Sequence, residues 1–107
     1  MSQVTYVAHG GERRTVEVPL GENVMRGALY NGIEGIVGEC GGGLACATCH
    51  CYVEEDWLGK LEAPADAELQ MLESAVCEVR PNSRLSCQIA VTEALDGLVV
   101  DLPERQY

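Results

Sequence analysis

The residues of this chain that most directly indicate chemistry are its six cysteines. Cys40, Cys46 and Cys49 follow a C-x5-C-x2-C pattern, and Cys87 lies much later in the chain. Four thiolates are the set that a [2Fe–2S] cluster requires, because iron bridged by sulfide is soft and deprotonated sulfur offsets its charge. The spacing therefore predicts one [2Fe–2S] cluster per chain, held by these four cysteines.

A zinc site is the main alternative, since four cysteines also close a tetrahedral zinc shell. Zinc sites usually show two close C-x2-C-like pairs, whereas here three cysteines cluster and the fourth stands alone. The first gap, of five residues, is one longer than the plant-type spacing C-x4-C-x2-C. The pattern favours iron–sulfur chemistry over a zinc-stabilised interaction module without a redox role.

Glycines follow the first predicted ligand at Gly41, Gly42 and Gly43. Glycine allows the backbone to take positive φ and to wrap closely, so that its N–H groups can point at sulfur. Such hydrogen bonds stabilise the extra negative charge of a reduced cluster. We therefore expect these glycines to surround the cluster.

The other cysteines and the histidines are weaker candidates. His50 adjoins a predicted ligand, but a Rieske centre needs two histidines on one iron, and His9 falls in a predicted hairpin turn. We expect His50 to be a partly buried ring that hydrogen-bonds near the loop. Cys51 and Cys77 are expected to be small buried apolar residues, with Cys51 close enough to the loop to be an alternative ligand.

Charge and length restrict the class of protein. Seventeen acidic against seven basic residues give a formal net charge of −10. The electric field of this charge repels nucleic acid and anionic membranes and favours encounter with basic protein surfaces. Solubility alone also accounts for this charge. The sequence shows no export signal and no stretch of membrane-spanning length, which predicts a cytoplasmic protein with reduced thiols. The length of 107 residues fits one domain, residues 1–107.

The first part of the chain predicts a hairpin and a helix. Short β-rich runs from Val4 to Ala8 and from Thr15 to Leu20 flank a Gly-Gly turn, with Val16, Val18 and Leu20 alternating with other residues. Asn23 can cap a helix in which Met25, Ala28 and Leu29 share one face, and Gly32 is placed to end it. Residues 35–51 are rich in glycine and cysteine and predict a loop.

The second part predicts a further helix and two strands. Residues 54–65 are acidic and irregular, and Asp66 can cap a helix that turns Leu69, Leu72 and Val76 inward. A turn at residues 80–83 leads to a predicted strand over 85–92, and a last strand covers 98–102. Together these elements predict an α+β domain.

At four places the sequence resembles the adrenodoxin and putidaredoxin class of ferredoxins: Cys40 to His50 (CGGGLACATCH), Met71 to Glu73 (MLE), Ser83 to Ile89 (SRLSCQI) and Leu95 to Leu98 (LDGL). The resemblance covers nearly the whole chain. It implies a β-grasp fold and an electron-transfer protein without catalysis of its own. It also implies that Cys40 and Cys46 bind the iron nearer the surface, and Cys49 and Cys87 the inner one.

The same resemblance implies the partners. In this class the electron donor is an FAD-containing NAD(P)H-dependent ferredoxin reductase, and the acceptor is often a haem-thiolate (cytochrome P-450 type) monooxygenase. A sister group serves iron–sulfur cluster assembly, and service as the ferredoxin subunit of one multicomponent oxygenase is a further alternative. Carriers use small, transient interfaces, so we expect a monomer that forms short-lived complexes.

Four residues are candidates for docking. In the class a helix with several acidic residues binds the reductase; here Asp66 and Glu73 match, while Gln70 replaces an acid. Glu39 stands beside the first ligand, where the class has an aspartate associated with the monooxygenase interface. Tyr107 resembles the aromatic-ended tail of the monooxygenase branch. For each acid a merely solvated position is the alternative.

Overall fold

The computed structural model describes residues 1–38 and 48–106. In these ranges the strands are β1 (Ser2–Val7), β2 (Arg13–Val18), β3 (His50–Val53), β4 (Ser83–Leu85) and β5 (Leu98–Asp101). The helices are α1 (Val24–Tyr30), α2 (Glu55–Leu58) and α3 (Asp66–Leu72), with 3-10 turns at Ser86–Gln88 and Glu93–Leu95. None of these helices is long and apolar enough to cross a bilayer.

The strands form one mixed sheet in the order β2-β1-β5-β3-β4. β1 pairs antiparallel with β2 and parallel with β5, while β3 runs antiparallel to both β5 and β4. The hairpin between β1 and β2 closes through Gly11, whose φ of 94° favours glycine. This mixed sheet with short helices confirms the predicted α+β class.

The core lies between the sheet and α1. Val4 on β1 and Leu98 and Val100 on the central strand β5 are fully buried, and Met25 on α1 belongs to the same buried cluster. The Tyr6 hydroxyl, also buried, donates a 2.6 Å hydrogen bond to the carbonyl of Val24. Because its polar group is paired, the ring adds apolar burial without an unsatisfied donor.

Helix α1 begins and ends where local rules predict. The Asn23 side chain accepts a 2.8 Å hydrogen bond from the backbone N–H of Arg26, as an N-cap does. At the other end Gly32 has a φ of 65°, and the N–H of Ile33 reaches back to the carbonyl of Ala28 at 3.0 Å. This Schellman arrangement satisfies carbonyls that the helix end leaves free, so both predicted boundaries are confirmed.

Gly27 is the point of closest approach between α1 and the sheet. A Cβ there would lie 2.6 Å from Val18 Cγ2 and 2.8 Å from the Tyr6 hydroxyl. Overpacking should outweigh the better helix propensity of alanine, so we expect Gly27→Ala to destabilise the protein by about 1 to 2 kcal/mol. Urea unfolding measures the free energy of unfolding of the variant and of the unsubstituted protein. Gly10→Ala, whose Cβ would meet nothing within 4 Å, is the control, and equal stability of the two variants would contradict the prediction.

Some predicted inward positions are exposed. Leu20 lies beyond the end of β2 and is 46% exposed, and Leu29 on α1 is 41% exposed. On α3 only Leu72 of the predicted apolar face is buried, while Leu69 is exposed and Val76 lies beyond the helix end. Glu68, a buried acid, occupies the inward-facing side of α3, where an apolar residue was predicted. Leu69, the next residue along the helix, therefore faces solvent.

The limits of several other elements also differ from the predictions. Ala65, not Asp66, is the N-cap residue of α3, and the irregular segment 54–65 contains the short helix α2. The predicted loop 35–51 ends early, because residues 50 and 51 already pair with β4. The predicted strand 85–92 stops at Leu85, because residues 86–88 form a 3-10 turn that the N–H of Ile89 closes on the carbonyl of Ser86.

Candidate metal centre

Two of the four predicted ligands lie in the described part of the chain, and the fold brings them together. Cys49 precedes β3 and is fully buried, and Cys87 lies on the 3-10 turn after β4 and is 8% exposed. The thiol groups of the two residues lie close enough to shift each other's pKa. Ser86 fixes this meeting, because its N–H and its hydroxyl both donate to the carbonyl of Cys49, at 3.0 and 2.8 Å.

The two thiols are electrostatically unequal. Cys49 donates to the sulfur of Cys87, which lowers the pKa of Cys87 to about 6, and the 3.4 Å bond from Gln88 Nε2 acts in the same direction against the effect of burial. The same donated bond and burial raise the pKa of Cys49. The lowered pKa of Cys87 favours its thiolate, the form in which sulfur binds iron.

This donor pair fits a [2Fe–2S] cluster, which is bound by thiolates. Within residues 1–38 and 48–106 no three His, Cys, Asp or Glu side chains form a group that could hold a metal ion. The other predicted ligands, Cys40 and Cys46, lie outside the described residues, as do Gly41, Gly42 and Gly43. A complete site thus needs residues from the segment 39–47.

The two remaining cysteines differ from each other. Cys51 is fully buried in the core, and burial raises its pKa to about 12, so it stays a neutral thiol. This agrees with the expected apolar role. Cys77 is only half-buried, and its Sγ donates to the carbonyl of Arg105 at 3.3 Å, so the expectation of a buried residue is wrong. It lies in the irregular chain after α3.

His50 is more deeply buried than predicted, with 1% exposure. Its Nε2 lies 2.9 Å from the Ser83 hydroxyl, and its ring packs edge-on against Tyr52 with centroids 4.8 Å apart. Burial, followed by the nearby charge of Arg80, lowers its pKa. The ring is therefore a neutral hydrogen-bonding group beside Cys49, while His9 is exposed in the hairpin turn as expected.

A buried ion pair near the site escaped the sequence analysis. Glu68 on α3 accepts hydrogen bonds from Arg84 Nε at 2.6 Å and Nη2 at 3.1 Å, and from the N–H of Leu85 at 3.0 Å. Arg84 also donates to the carbonyl of Glu62 at 2.9 Å. The spacing contained a signal, since Glu68 and Leu72 are four residues apart and must share a helix face.

Gln106 was also missed. Its side chain is 7% exposed, and Nε2 donates to the carbonyl of Gly35 at 2.7 Å and to that of His50 at 2.8 Å. Leu102 and Pro103 are buried as well, so the tail packs on the domain. No local pattern in the sequence distinguishes this glutamine from an exposed one.

Of the four candidate docking residues, the structure describes Asp66 and Glu73. Asp66 and Glu73 stand at the two ends of α3 and are exposed, as is Gln70. Glu39 and Tyr107 lie outside the described residues. The structure therefore leaves the two acids of α3 accessible to a partner.

The family model for the 2Fe-2S iron-sulfur cluster binding domain matches residues 7–92 of this chain. Putidaredoxin from Pseudomonas putida is 51% identical over 107 residues, which cover 100% of both chains.

Two solved structures extend the comparison. A cysteine-to-serine variant of reduced putidaredoxin from Pseudomonas putida superposes with a TM-score of 0.97 at 52% identity, covering 99% of this chain and 100% of that one. The covalent putidaredoxin reductase–putidaredoxin complex contains a chain with a TM-score of 0.95 and 53% identity, covering 97% and 100% respectively. The likeness confirms the β-grasp fold implied by the sequence resemblance.

Proposed function

Because the chain belongs to the family of 2Fe-2S iron-sulfur cluster binding domains, we propose that it shuttles single electrons between two proteins. The donor is an FAD-containing NAD(P)H ferredoxin reductase, and the acceptor is a haem-thiolate (cytochrome P-450 type) monooxygenase. The chain is an electron carrier and not an enzyme. The bound cluster supplies the one-electron chemistry, and the protein holds it and presents it to partners.

The observation that carries this proposal is the meeting of Cys49 and Cys87. Two thiols from distant parts of the chain interact inside the domain, and this interaction lowers the pKa of Cys87. We assign Cys40 and Cys46 as the other two ligands, with residues 1–107 as a single cluster-binding domain. Gly41, Gly42 and Gly43 are assigned to hydrogen bonding around the cluster.

The donor side of the proposal is supported by a relative. Putidaredoxin forms a complex with putidaredoxin reductase, and this chain resembles it along its whole length. We assign reductase docking to the exposed acids Asp66 and Glu73 on α3. Both are accessible, and negative charge there suits a basic surface on the partner.

The acceptor side rests on two residues beyond the described ranges. Glu39 adjoins the first assigned ligand in the sequence, and Tyr107 follows the anchored Gln106. We assign both to contact with the monooxygenase, since aromatic residues are enriched among contacts that dominate binding. We further propose that the protein works in the cytoplasm as a monomer with transient complexes.

Reconstitution tests the function. The purified protein is mixed with putidaredoxin reductase, and NADH and NADPH are supplied in separate experiments. The loss of visible absorption at about 400 to 500 nm is followed, because oxidised clusters absorb in this region and zinc does not. The reduced protein is then offered to the haem-thiolate monooxygenases encoded in the same genome. We expect reductase-dependent bleaching and substrate-dependent reoxidation. A colourless protein with bound zinc would refute the proposal, and reoxidation only by cluster-assembly proteins would refute the monooxygenase assignment.

We also predict that the rate of reduction by the reductase depends on salt concentration. The net charge of −10 should steer the protein to its reductase, and the Debye length falls from roughly 10 Å at 0.1 M to about 3 Å at 1 M salt. We therefore expect the second-order rate of reduction to fall steeply over this range, because screening removes the steering. Stopped-flow bleaching measures the rate. A rate that stays flat, with the cluster intact, would contradict electrostatic docking.

A further inference from the structure

The side chain of Gln88 donates a hydrogen bond to the sulfur of Cys87, one of the proposed ligands. Gln88 Nε2 lies 3.4 Å from Cys87 Sγ, and the amide is neutral, so it offers a donor without adding a charge. Cys87 is buried, whereas Gln88 is exposed. The bond therefore joins a buried residue of the proposed site to a side chain at the protein surface.

The turn that carries both residues holds their backbone in place. They lie in the 3-10 turn Ser86–Gln88, which a backbone hydrogen bond from Ile89 closes at 3.3 Å. Leu85 before the turn and Ile89 after it are both buried in the core. Because the backbone is anchored on both sides, Gln88 has to order only its own side chain to reach the sulfur.

The groups around Cys87 act on its charge in opposite directions. The interaction with Cys49 is the largest cause of the lowered pKa of Cys87, and the bond from Gln88 also lowers it, whereas burial and the carboxylate of Glu68 act against them. A Cys49 that binds iron has lost its thiol proton and can no longer donate. Gln88 keeps its donor when the cluster is bound.

Reduction increases the negative charge that the ligands must hold. A [2Fe–2S] cluster accepts one electron at a time, and its ligand sulfurs carry part of the added charge. A hydrogen bond to such a sulfur becomes stronger as the sulfur becomes more negative. The donor thus stabilises the reduced state more than the oxidised state, which raises the reduction potential.

We propose that Gln88 raises the reduction potential of the cluster, because its side-chain N–H stabilises the charge that Cys87 Sγ gains on reduction. This inference rests on the proposed function. The step is the transfer of one electron from the reductase to the cluster, and no covalent bond forms or breaks. A higher potential makes the reduced carrier easier for the reductase to form and a weaker donor to the acceptor. Gln88 thereby shifts the balance between the two transfers.

Redox titration of Gln88→Met tests this proposal. Methionine keeps the approximate length of the side chain and removes the donor. At a fixed potential, the ratio of reduced to oxidised protein should fall about three- to tenfold, as expected for the loss of one hydrogen bond. This fall corresponds to a potential lower by about 30 to 60 mV, since a tenfold change is about 59 mV for one electron. The titration uses the purified protein with mediator dyes, so it does not depend on docking of either partner.

Gln88→Glu separates the loss of the donor from a change in charge. An ionised carboxylate cannot donate and adds a negative charge, so the potential should fall below that of Gln88→Met. The additional fall should shrink between about 0.1 and 1 M salt, because the exposed charge is screened, while the effect of Gln88→Met persists. In the resonance Raman spectrum of Gln88→Met, the Fe–S stretching bands should shift to higher frequency, because the sulfur no longer shares electron density with an N–H.

Gln3→Met is the matched control. Gln3 is exposed on β1, a strand that does not pair with β4, and the substitution makes the same chemical change there. It should leave the potential and the Fe–S bands unchanged. All three variants should keep the iron and sulfide content and the melting temperature of the unsubstituted protein, since both glutamines are exposed.

The possible outcomes are distinct. An unchanged potential in Gln88→Met, with iron and sulfide retained, would overturn the proposal, and so would an equal fall in Gln3→Met. Loss of the cluster in both Gln88 variants would assign the residue to structural support and would also overturn the proposal. A wild-type protein that binds the cluster but is not reduced by the reductase would overturn the proposed function, while the potentials of the variants would still decide the role of Gln88.

Discussion

Cys87→Ala and Cys49→Ala chains are expected to be isolated without a stable [2Fe–2S] cluster. Each substitution removes one of two thiols that meet inside the domain, and the cluster requires four thiolates. Iron and acid-labile sulfide per chain, together with the visible spectrum, measure the loss. Cys40→Ala and Cys46→Ala should have the same effect, since these residues complete the proposed ligand set.

The chain contains its own controls for this experiment. Cys51→Ser and Cys77→Ser should retain iron and sulfide, because Cys51 is a neutral thiol in the core and Cys77 bonds to the tail. Cys51→Ser places a hydroxyl in the core and should lower stability while keeping the colour. Loss of the cluster in Cys51→Ser with retention in Cys49→Ala would show that the ligand assignment is wrong.

Glu68→Ala is expected to cost about 3 to 5 kcal/mol of unfolding free energy, the range for removing one partner of a buried ion pair. Both side chains are nearly inaccessible, with exposures of 2% for Glu68 and 8% for Arg84, so solvent screening gives little relief. The substitution would leave the guanidinium uncompensated and the N–H of Leu85 without its acceptor. Urea unfolding followed by far-UV circular dichroism measures the change.

Two further variants isolate the cause. Glu73→Ala removes an exposed acid at the end of the same helix and should change stability by no more than about 0.5 kcal/mol. Glu68→Leu combined with Arg84→Met removes both charges, and it should recover much of the loss because no charge is left unpaired. A double variant as unstable as Glu68→Ala would show that packing, and not the unpaired charge, dominates.

What could be predicted from the sequence depends on local interactions. The Asn23 cap and the Gly32 end of α1 were correct because each depends on residues within one helical turn. The ligand pattern named Cys49 and Cys87, whose thiols the structure brings together. A cluster-binding pattern can relate residues across a long sequence separation because cluster chemistry restricts which residues can take part, and the full ligand set stays a prediction.

The errors arose where a distant partner decides the local structure. Leu69 faces solvent because Glu68 turns inward to meet Arg84, a residue of another element. The predicted strand after Leu85 ends in a 3-10 turn at Ser86–Gln88, where the Ser86 hydroxyl donates to the carbonyl of Cys49 on a distant segment. Gln106 could not be recognised, since both of its acceptors are backbone carbonyls, which carry no sequence signature.

The place of β5 in the sheet has a consequence for biosynthesis. It is the last strand of the described chain, yet it lies between β1 and β3 at the centre of the sheet. A nascent chain that has exposed only its first strands therefore lacks the strand that joins the two halves, and non-local pairing of this kind slows folding. Because Cys87 is also translated late, cluster insertion must follow translation of most of the chain. Until β5 has left the ribosome and paired, the edges of β1 and β3 that it covers are open to aggregation.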